Sequence, residues 1–158
     1  MSELVVQRAS IDDAELIYAM QIEAFKPLLA KYKDYETSPA NESLDRTMDR
    51  LNQKQTDYYL IIFRSLPIGA IRIVKKAGHC YRISPIFIHP EFQGKGIAKA
   101  TMQTIEKMYS DSLVWELDTI LEERKLCGLY ESLGYMATGK TTKINDEMTA
   151  IYYEKKMK

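Results

Sequence analysis

Two glycines lie where a predicted strand gives way to a predicted helix, and this arrangement is suited to holding an anion. The stretch IFIHPEF at positions 86–92 ends the strand, and QGKGIA at positions 93–98 opens the helix. The first turn of a helix leaves four N–H groups without internal partners, and aligned peptide dipoles add about half a positive charge there. Gly94 and Gly96 lack Cβ atoms, so a phosphate can approach the backbone closely. The pattern predicts a pyrophosphate site made of backbone N–H groups, with Lys95 adding charge.

An isolated Gly-x-Gly also occurs in tight turns that bind nothing, and that alternative stays open at this point. Two other phosphate motifs are excluded by the residues present. The dinucleotide fingerprint requires a small residue at the position of Lys99. A Walker loop requires Ser or Thr after Gly94-Lys95, where Gly96 stands.

Two segments of the chain resemble the GNAT N-acetyltransferase superfamily. Its first signature, Gln/Arg-x-x-Gly-x-Gly/Ala, is matched by Gln93, Gly96 and Ala98 after the strand that ends Ile-His-Pro-Glu-Phe. Its second, Leu-Tyr-Glu-x-Leu-Gly-Phe/Tyr, is matched by LYESLGY at positions 129–135, at the distance from the first that is typical of the family. The resemblance covers the whole order of elements. It implies an enzyme that transfers the acetyl group of acetyl-CoA to a primary amine by direct attack.

The resemblance also implies which residues hold the cofactor. The strand before the turn is expected to offer backbone groups of Ile86, Phe87 and Ile88 to the pantetheine arm. The pyrophosphate is expected at the backbone of Gln93, Gly94, Lys95, Gly96, Ile97 and Ala98.

Tyr130, in the second segment, matches the tyrosine that family members often use to protonate the departing thiolate. A phenol with a pKa of about 10 can donate its proton as charge develops on sulfur, so the chemistry is reasonable without the family. The alternative is a core aromatic residue on an amphipathic helix.

The proton acceptor is harder to identify from the sequence. A protonated alkyl amine has a pKa near 10.4, so it must lose a proton before it attacks. Many family members carry a carboxylate on the strand before the turn, but here that strand contains YRISP at positions 81–85. Glu116, on the next strand, is the nearest candidate base, and it can equally face solvent. Glu123 and Leu126 stand where the family often has Asn-x-x-Ala, which puts that asparagine's cofactor contact in doubt.

The acceptor is expected near the segment that follows the first helix, where the family builds acceptor specificity. Tyr32, Asp34, Tyr35 and Glu36 offer charge and aromatic faces to a cationic amine, and the alternative is a solvated loop. These acidic residues favour a small-molecule or polyamine-like acceptor. His79 and Tyr81 are further candidates for the acceptor cleft, and their alternatives are a surface histidine and a packed tyrosine. A protein or peptide acceptor, and a non-catalytic acetyl-CoA-binding module, remain as other functions.

Hydrophobic periodicity predicts the elements that position these residues. The order is β-α-α-β-β-β-α-β-α-β-β, which predicts an α/β (α+β) fold with a mixed, mostly antiparallel sheet of six to seven strands and about four helices. The first helix should end near Phe25 because Pro27 follows, the second should begin at Ser38-Pro39, and the third at Gln93. Pro85 lies inside a predicted strand, where proline is uncommon except at an edge or a bulge. The resemblance implies a bulge here, next to a splay between the strands that end near 88 and begin near 113.

Bulk properties suit one cytoplasmic domain over residues 1–158. The formal net charge is +0, which argues against nucleic acid as a partner, and no apolar run or leader pattern predicts a membrane span or a signal peptide. Cys80 and Cys127 have no metal-binding spacing, so no metal is expected. The C-terminal hairpin leaves a homodimer open.

Overall fold

In the computed structural model, which describes residues 3–158, seven strands form one sheet. The strands are β1 (Leu4–Arg8), β2 (Thr56–Phe63), β3 (Leu66–Lys76), β4 (Cys80–Ile88), β5 (Val114–Ile120), β6 (Met136–Asn145) and β7 (Met148–Lys156). Within the same residues the α-helices are α1 (Ala14–Tyr32), α2 (Leu44–Asn52), α3 (Ile97–Met108) and α4 (Arg124–Ser132). The predicted element order and fold class are confirmed.

The sheet is antiparallel except at its centre. Its order is β1-β2-β3-β4-β5-β7-β6. β4 and β5 are parallel, while every other neighbouring pair is antiparallel. A parallel pair needs a crossover, and here α3 lies in the connection between the two strands. The turn predicted to bind an anion therefore begins that crossover.

Side chains alternate between the two faces of the sheet, and each face has its own core. On β2, Tyr58 and Leu60 pack with Ile17 and Met20 of α1. Tyr59 and Ile61 belong to the other cluster, which contains buried residues of α3 and α4. We call the first the α1 face and the second the α3 face. Trp115 and Leu117 of β5 lie on the α3 face.

Helix α1 continues past Pro27, so the prediction that it ends near Phe25 is wrong. A proline inside a helix removes one backbone hydrogen bond and costs about 3 kcal/mol. Contacts on both sides of the proline hold the helix together. The rings of Phe25 and Phe87 meet edge to face with centroids 5.9 Å apart, and the buried Tyr32 donates its hydroxyl hydrogen to Glu123 at 2.5 Å.

The starts of two other helices also differ from their predictions. Ser38 accepts a hydrogen bond from the Ala40 N–H, but it caps a short 3-10 turn, and α2 begins only after Ser43. The helix predicted to begin at Gln93 starts later. A 3-10 turn at Pro90–Phe92 is followed by a turn at 93–94 and a bend at 95–96, and α3 itself begins at Ile97. The capping box of Ser10 and Asp13 is present as the sequence predicts.

The described residues were compared with the patterns of membrane-spanning helices and of metal sites. No helix within residues 3–158 is both long and apolar enough to cross a membrane. Among the same residues, no group of three or more His, Cys, Asp or Glu side chains is arranged to hold a metal ion.

Candidate active site

The parallel ladder between β4 and β5 is short, and the two strands separate beyond it. It pairs Cys80 with Val114, Tyr81 with Trp115 and Arg82 with Glu116. β4 stays paired with β3 as far as Ile88. On the side that faces β5, the backbone groups from Ile83 to Ile88 thus have no partner strand within the described residues. The expected splay is present, and it exposes an internal strand edge at Ile86, Phe87 and Ile88.

A bulge in β4 lies where this gap opens. Ile71 pairs with Ile86 and Ile73 with Ile83, so Ser84 and Pro85 together oppose the single residue Arg72. Two residues against one is the definition of a β-bulge, which bends its strand. The Arg72 guanidinium donates from Nη1 to the Ser84 carbonyl at 2.9 Å. The bulge expected at Pro85 is therefore observed, and it turns β4 away from β5.

The turn after β4 is fixed by its own side chains. His89 accepts a hydrogen bond from the Glu91 N–H at 3.2 Å, and the Gln93 side chain donates back to the Ile88 carbonyl at 2.8 Å. Gly94 and Gly96 both have positive φ, at 76° and 79°, which disfavours any residue with a Cβ. A Cβ built on either glycine meets no atom within 4 Å, so the space beside both is open.

Helix α3 begins without a side chain that caps its first amides. Gly96 is the N-cap residue and offers no side-chain acceptor, and the Ala100 N–H donates to the Gly96 carbonyl at 3.1 Å. The N–H groups of Ile97 and Ala98 precede this first helical bond, so they have no intrahelical acceptor. Lys95 is exposed, with its ammonium 5.5 Å from the centre of the Phe92 ring. The turn can therefore bind an anion through its backbone.

Tyr130 lies on the α3 face, in the same cluster as Ile88 and Ile97. It is 7% exposed, and its ring packs on Tyr135 and Tyr153 with centroids 6.3 Å and 6.4 Å away. Burial, with a smaller contribution from Asp118, raises the pKa of its hydroxyl above the ordinary value. This phenol therefore keeps its proton at neutral pH and can donate it.

Glu116 lies on the α1 face, opposite Tyr130. Its carboxylate pairs with Lys76 of β3. Two residues further along β5, Asp118 pairs with Arg82 of β4 across the start of the gap. Lys76, Arg82 and Glu116 border a cleft of about 360 Å³, whose wall also includes Lys140, Tyr152 and Glu154. The sequence analysis missed Asp118 and Arg82, although the alternation of Glu116 and Asp118 along a strand places both on one face.

The four residues expected after the first helix have different environments. Tyr32 is buried and bonded to Glu123, and Asp34 is buried with its carboxylate accepting from the Thr37 N–H at 3.0 Å. Both therefore support the local fold. Tyr35 is 62% exposed, and Glu36 is exposed beside it. The structure leaves these two side chains free to meet another molecule.

His79 and Tyr81 lie at the end of β4 that is remote from the anion-binding turn. Tyr81 is buried against Trp115, with ring centroids 5.2 Å apart, and its hydroxyl donates to Asp111 at 2.8 Å. Nδ1 of the exposed His79 lies 2.9 Å from the same carboxylate. The structure does not bring either residue to the gap.

Comparison with solved structures identifies the fold of this arrangement. An acetyltransferase from Salmonella typhimurium that modifies the N-terminal serine of a ribosomal protein superposes with a TM-score of 0.78 at 15% identity, over 100% of this chain and 97% of that one. A chimera of the spermidine N-acetyltransferases of Vibrio cholerae and human gives 0.75 at 17% identity, over 98% and 95%. A microcin self-immunity acetyltransferase solved with acetyl-CoA and AMP gives 0.74 at 15% identity, over 99% and 94%. At such identities the likeness establishes the fold.

Sequence comparison supplies the family. A search among curated proteins found no match. The family model described as an acetyltransferase (GNAT) domain matches residues 28–157. That range covers most of the chain, including β4, the anion-binding turn and Tyr130. The chain therefore belongs to the GNAT family of acetyl-CoA-dependent N-acetyltransferases.

Proposed function

We propose that the protein acetylates the primary amine of a small molecule, with acetyl-CoA lying in the gap between β4 and β5. The observation that carries this proposal is the continuity of two backbone features. The open edge of β4 at 86–88 leads directly into a turn at 93–98 whose helix-starting amides lack internal partners. An extended arm fits the edge as an added strand would, and a pyrophosphate fits the turn.

Tyr130 is the proposed general acid. The thiolate of CoA leaves as the amine attacks the thioester carbonyl, and a proton from the phenol gives the free thiol. The proton released from the amine nitrogen in the tetrahedral intermediate can return to the phenolate, which restores Tyr130. The hydroxyl is protonated at neutral pH, as a general acid must be before it donates. Burial, which raises its pKa, also makes it a weaker acid, so donation requires the charge that develops on sulfur.

The carboxylates of β5 are the proposed proton acceptors for the incoming ammonium. Glu116 belongs to the last ladder pair, and Asp118 lies two residues further along the strand. Both side chains lie on the α1 face, from which an acceptor reaches the gap without crossing the cofactor turn. Separate Glu116→Gln and Asp118→Asn variants distinguish them, because loss of the true base shifts the acid limb of the kcat/KM profile toward higher pH.

A small amine fits the site better than a bare polyamine. The polyamine-like expectation depended on Asp34 and Glu36, and the Asp34 carboxylate is engaged in its own turn, so Glu36 alone supports it. Related folds include enzymes described as acting on spermidine and on a ribosomal protein, so a peptide acceptor is the alternative. The cleft favours a small acceptor because its carboxylates and cations surround a space of about 360 Å³.

The test is release of free thiol from acetyl-CoA over a panel of amines, polyamines and peptides. Tyr130→Phe is expected to lower kcat by about 10²–10⁴-fold, the usual contribution of a general acid. Tyr18→Phe, a half-buried tyrosine of α1, is the matched control and should retain wild-type turnover. Equal turnover by wild type and Tyr130→Phe would remove Tyr130 from the mechanism. Tight CoA binding without turnover of any acceptor would favour a non-catalytic module.

A further inference from the structure

A layer of polar side chains lies between α2 and the sheet, on the α1 face. Most of its charges are neutralised within the layer. Arg50 of α2 forms a two-pronged ion pair with Glu42, with nitrogen–oxygen distances of 2.6 Å and 2.8 Å. Gln21 donates to the same carboxylate at 2.8 Å. The Glu42 carboxylate therefore accepts three hydrogen bonds from these two neighbours.

Arg72, on the central strand β3, lies in this layer without a carboxylate. Its Nη1 donates to the Ser84 carbonyl at 2.9 Å, and Nη2 is 3.5 Å from the Gln53 side-chain oxygen. Its Nε is buried and has no hydrogen-bond partner among the residues that the structure describes. No acidic group within residues 3–158 forms an ion pair with it. A largely buried guanidinium without a counter-ion is costly, and native proteins usually pair it.

The neighbouring cations on this face show the contrast. Lys76 pairs with Glu116, and Arg82 pairs with Asp118. Arg72 therefore differs from these two cations, because it has no ion pair within the described residues. It lies where β4 bulges beside the gap.

Other buried groups on the α1 face also have unused hydrogen-bonding capacity, and the nearest to Arg72 is Tyr58. Tyr58 is the ladder partner of Arg72 on β2, so both side chains project from one face. Tyr58 is 2% exposed, yet its hydroxyl has no partner within the described residues. The buried Gln21 Oε1 and Thr47 Oγ1 also lack partners. Buried polar groups in native proteins are almost always satisfied, so several orphans in one layer indicate a missing ligand or water.

The charge of the layer is positive at neutral pH. Burial, with a further contribution from the nearby Arg50, lowers the pKa of Arg72 to about 10. Burial raises the pKa of Tyr58 to about 12. Both groups therefore carry their protons at pH 7, and both are available as hydrogen-bond donors to a single bound group. Donors with excess positive charge select an oxyanion, and a guanidinium binds carboxylate or phosphate with two parallel hydrogen bonds.

We propose that Arg72 and Tyr58 bind an oxyanion carried by the acceptor, so that the substrate is a primary amine that also bears a carboxylate or phosphate. This inference rests on the function proposed above. The Ser84 carbonyl that Arg72 contacts belongs to the bulge at the start of the gap. An acceptor anchored by its anion at Arg72 thus has its amine directed toward the thioester. Spermidine has no group for Arg72 to bind.

Matched pairs of small amines test the proposal by thiol release. β-Alanine is compared with β-alaninamide, and phosphoethanolamine with ethanolamine, while spermidine serves as a purely cationic acceptor. The two pairs also distinguish a carboxylate from a phosphate. The wild type should favour the acidic member of at least one pair by tenfold or more in kcat/KM. Arg72→Met should abolish that preference through KM for the amine, with KM for acetyl-CoA unchanged.

The control is Arg46→Met. Arg46 is exposed on α2 and close enough to influence Arg72, so its removal takes away a similar long-range charge but none of the buried donors. It should keep the preference for the acidic amine. Tyr58→Phe, which removes a single hydroxyl, should weaken the preference and provides a second variant if Arg72→Met does not fold.

Calorimetric titration separates this inference from the proposed function. The CoA-loaded protein is titrated with phosphoethanolamine, ethanolamine, β-alanine and β-alaninamide. Binding restricted to an acidic member and weakened at least tenfold by Arg72→Met supports the oxyanion site even if no amine is acetylated. Acetylation that proceeds equally with both members of each pair overturns the inference and leaves the acetyltransferase function intact. The inference is also overturned if neither acetylation nor binding distinguishes the acidic member of a pair from the neutral one.

Discussion

At the scale of single residues, the anion-binding turn depends on the backbone conformation of its glycines. Gly94→Ala should weaken CoA binding by tenfold or more, because its φ of 76° disfavours a Cβ and the turn must change conformation to relieve that strain. Gly78→Ala is a matched control. Gly78 has a φ of 74° and equally open surroundings, but it lies in the turn between β3 and β4, remote from the gap.

Calorimetric titration with CoA measures the two variants side by side. Both should lose about 1 kcal/mol of unfolding free energy, since the strain is similar. A selective loss of affinity in Gly94→Ala then reports on the turn itself. Similar affinities for CoA in Gly94→Ala and wild type would mean that the diphosphate binds elsewhere.

At the scale of elements, three segments meet at the C-terminal end of α1. Glu123, the N-cap residue of α4, accepts hydrogen bonds from Lys31 at 2.6 Å and Tyr32 at 2.5 Å. Asn145, at the end of β6, donates to the Tyr32 carbonyl at 2.9 Å. This junction fixes where α1 ends, and therefore where the exposed Tyr35 and Glu36 begin.

Glu123→Ala should disconnect α1 from α4. The expected loss of unfolding free energy is about 1–3 kcal/mol, because the buried Tyr32 hydroxyl loses its acceptor. Amide exchange in residues 28–36 should accelerate, and KM for the acceptor should rise while that for acetyl-CoA stays constant. Glu147→Ala, at an exposed turn residue that forms no ion pair with any residue of the range 3–158, is the control. Unchanged exchange in 28–36 would show that packing around Pro27, and not this junction, holds the helix end.

The helices and strands could be predicted from the sequence where their signals are local, and not where they depend on contacts such as those of this junction. Residue composition, periodicity and turn residues were sufficient for the order of elements along the chain, because each element carries its own local signal; β2, for example, is rich in Tyr, Ile and Phe. The prediction for α1 failed at Pro27 because Glu123, nearly a hundred positions away, stabilises the helix beyond it. The turn at 93–98 could be proposed as an anion site from the sequence because Gly94 and Gly96 are only two positions apart. Arg72, Asp118 and Arg82 were missed because their significance depends on which partner each finds across the sheet.

At the scale of the whole molecule, the gap between β4 and β5 connects two differently built faces. The α3 face holds the larger apolar cluster, which contains Tyr130, and one ion pair between Lys155 and Glu106. The α1 face holds a smaller apolar cluster, the ion pair of Arg82 with Asp118, and Arg72, which has no ion pair within the described residues. A donor on one side and an acceptor on the other would meet at the gap. Tyrosines are buried on both faces, so the packing of both faces is weakened when these phenols lose their protons at high pH.

Stability should therefore fall above pH 10. Burial raises the pKa of Tyr58 and of Tyr81 to about 12, with a hydrogen bond to Asp111 adding to the shift at Tyr81. A tyrosine in the unfolded chain loses its proton near pH 10, whereas these two keep theirs when folded. Their contribution is complete below pH 10 and is lost as the pH rises through 12, at about 1.4 kcal/mol per pH unit for each tyrosine.

Urea unfolding at pH 9, 10, 11 and 12, with tyrosinate absorbance recorded on the folded protein, measures this dependence. Lysines also titrate in this range, so Tyr58→Phe is needed to isolate one phenol. The variant should match or exceed wild-type stability at pH 9, because the Tyr58 hydroxyl has no partner to lose. It should then lose less stability than the wild type between pH 10 and 12, since one proton-linked group is gone. If wild type and Tyr58→Phe lost the same stability between pH 10 and 12, the raised pKa of Tyr58 would be contradicted. Tyr58 would then ionise as readily in the folded protein as in the unfolded chain, which requires its hydroxyl to reach solvent.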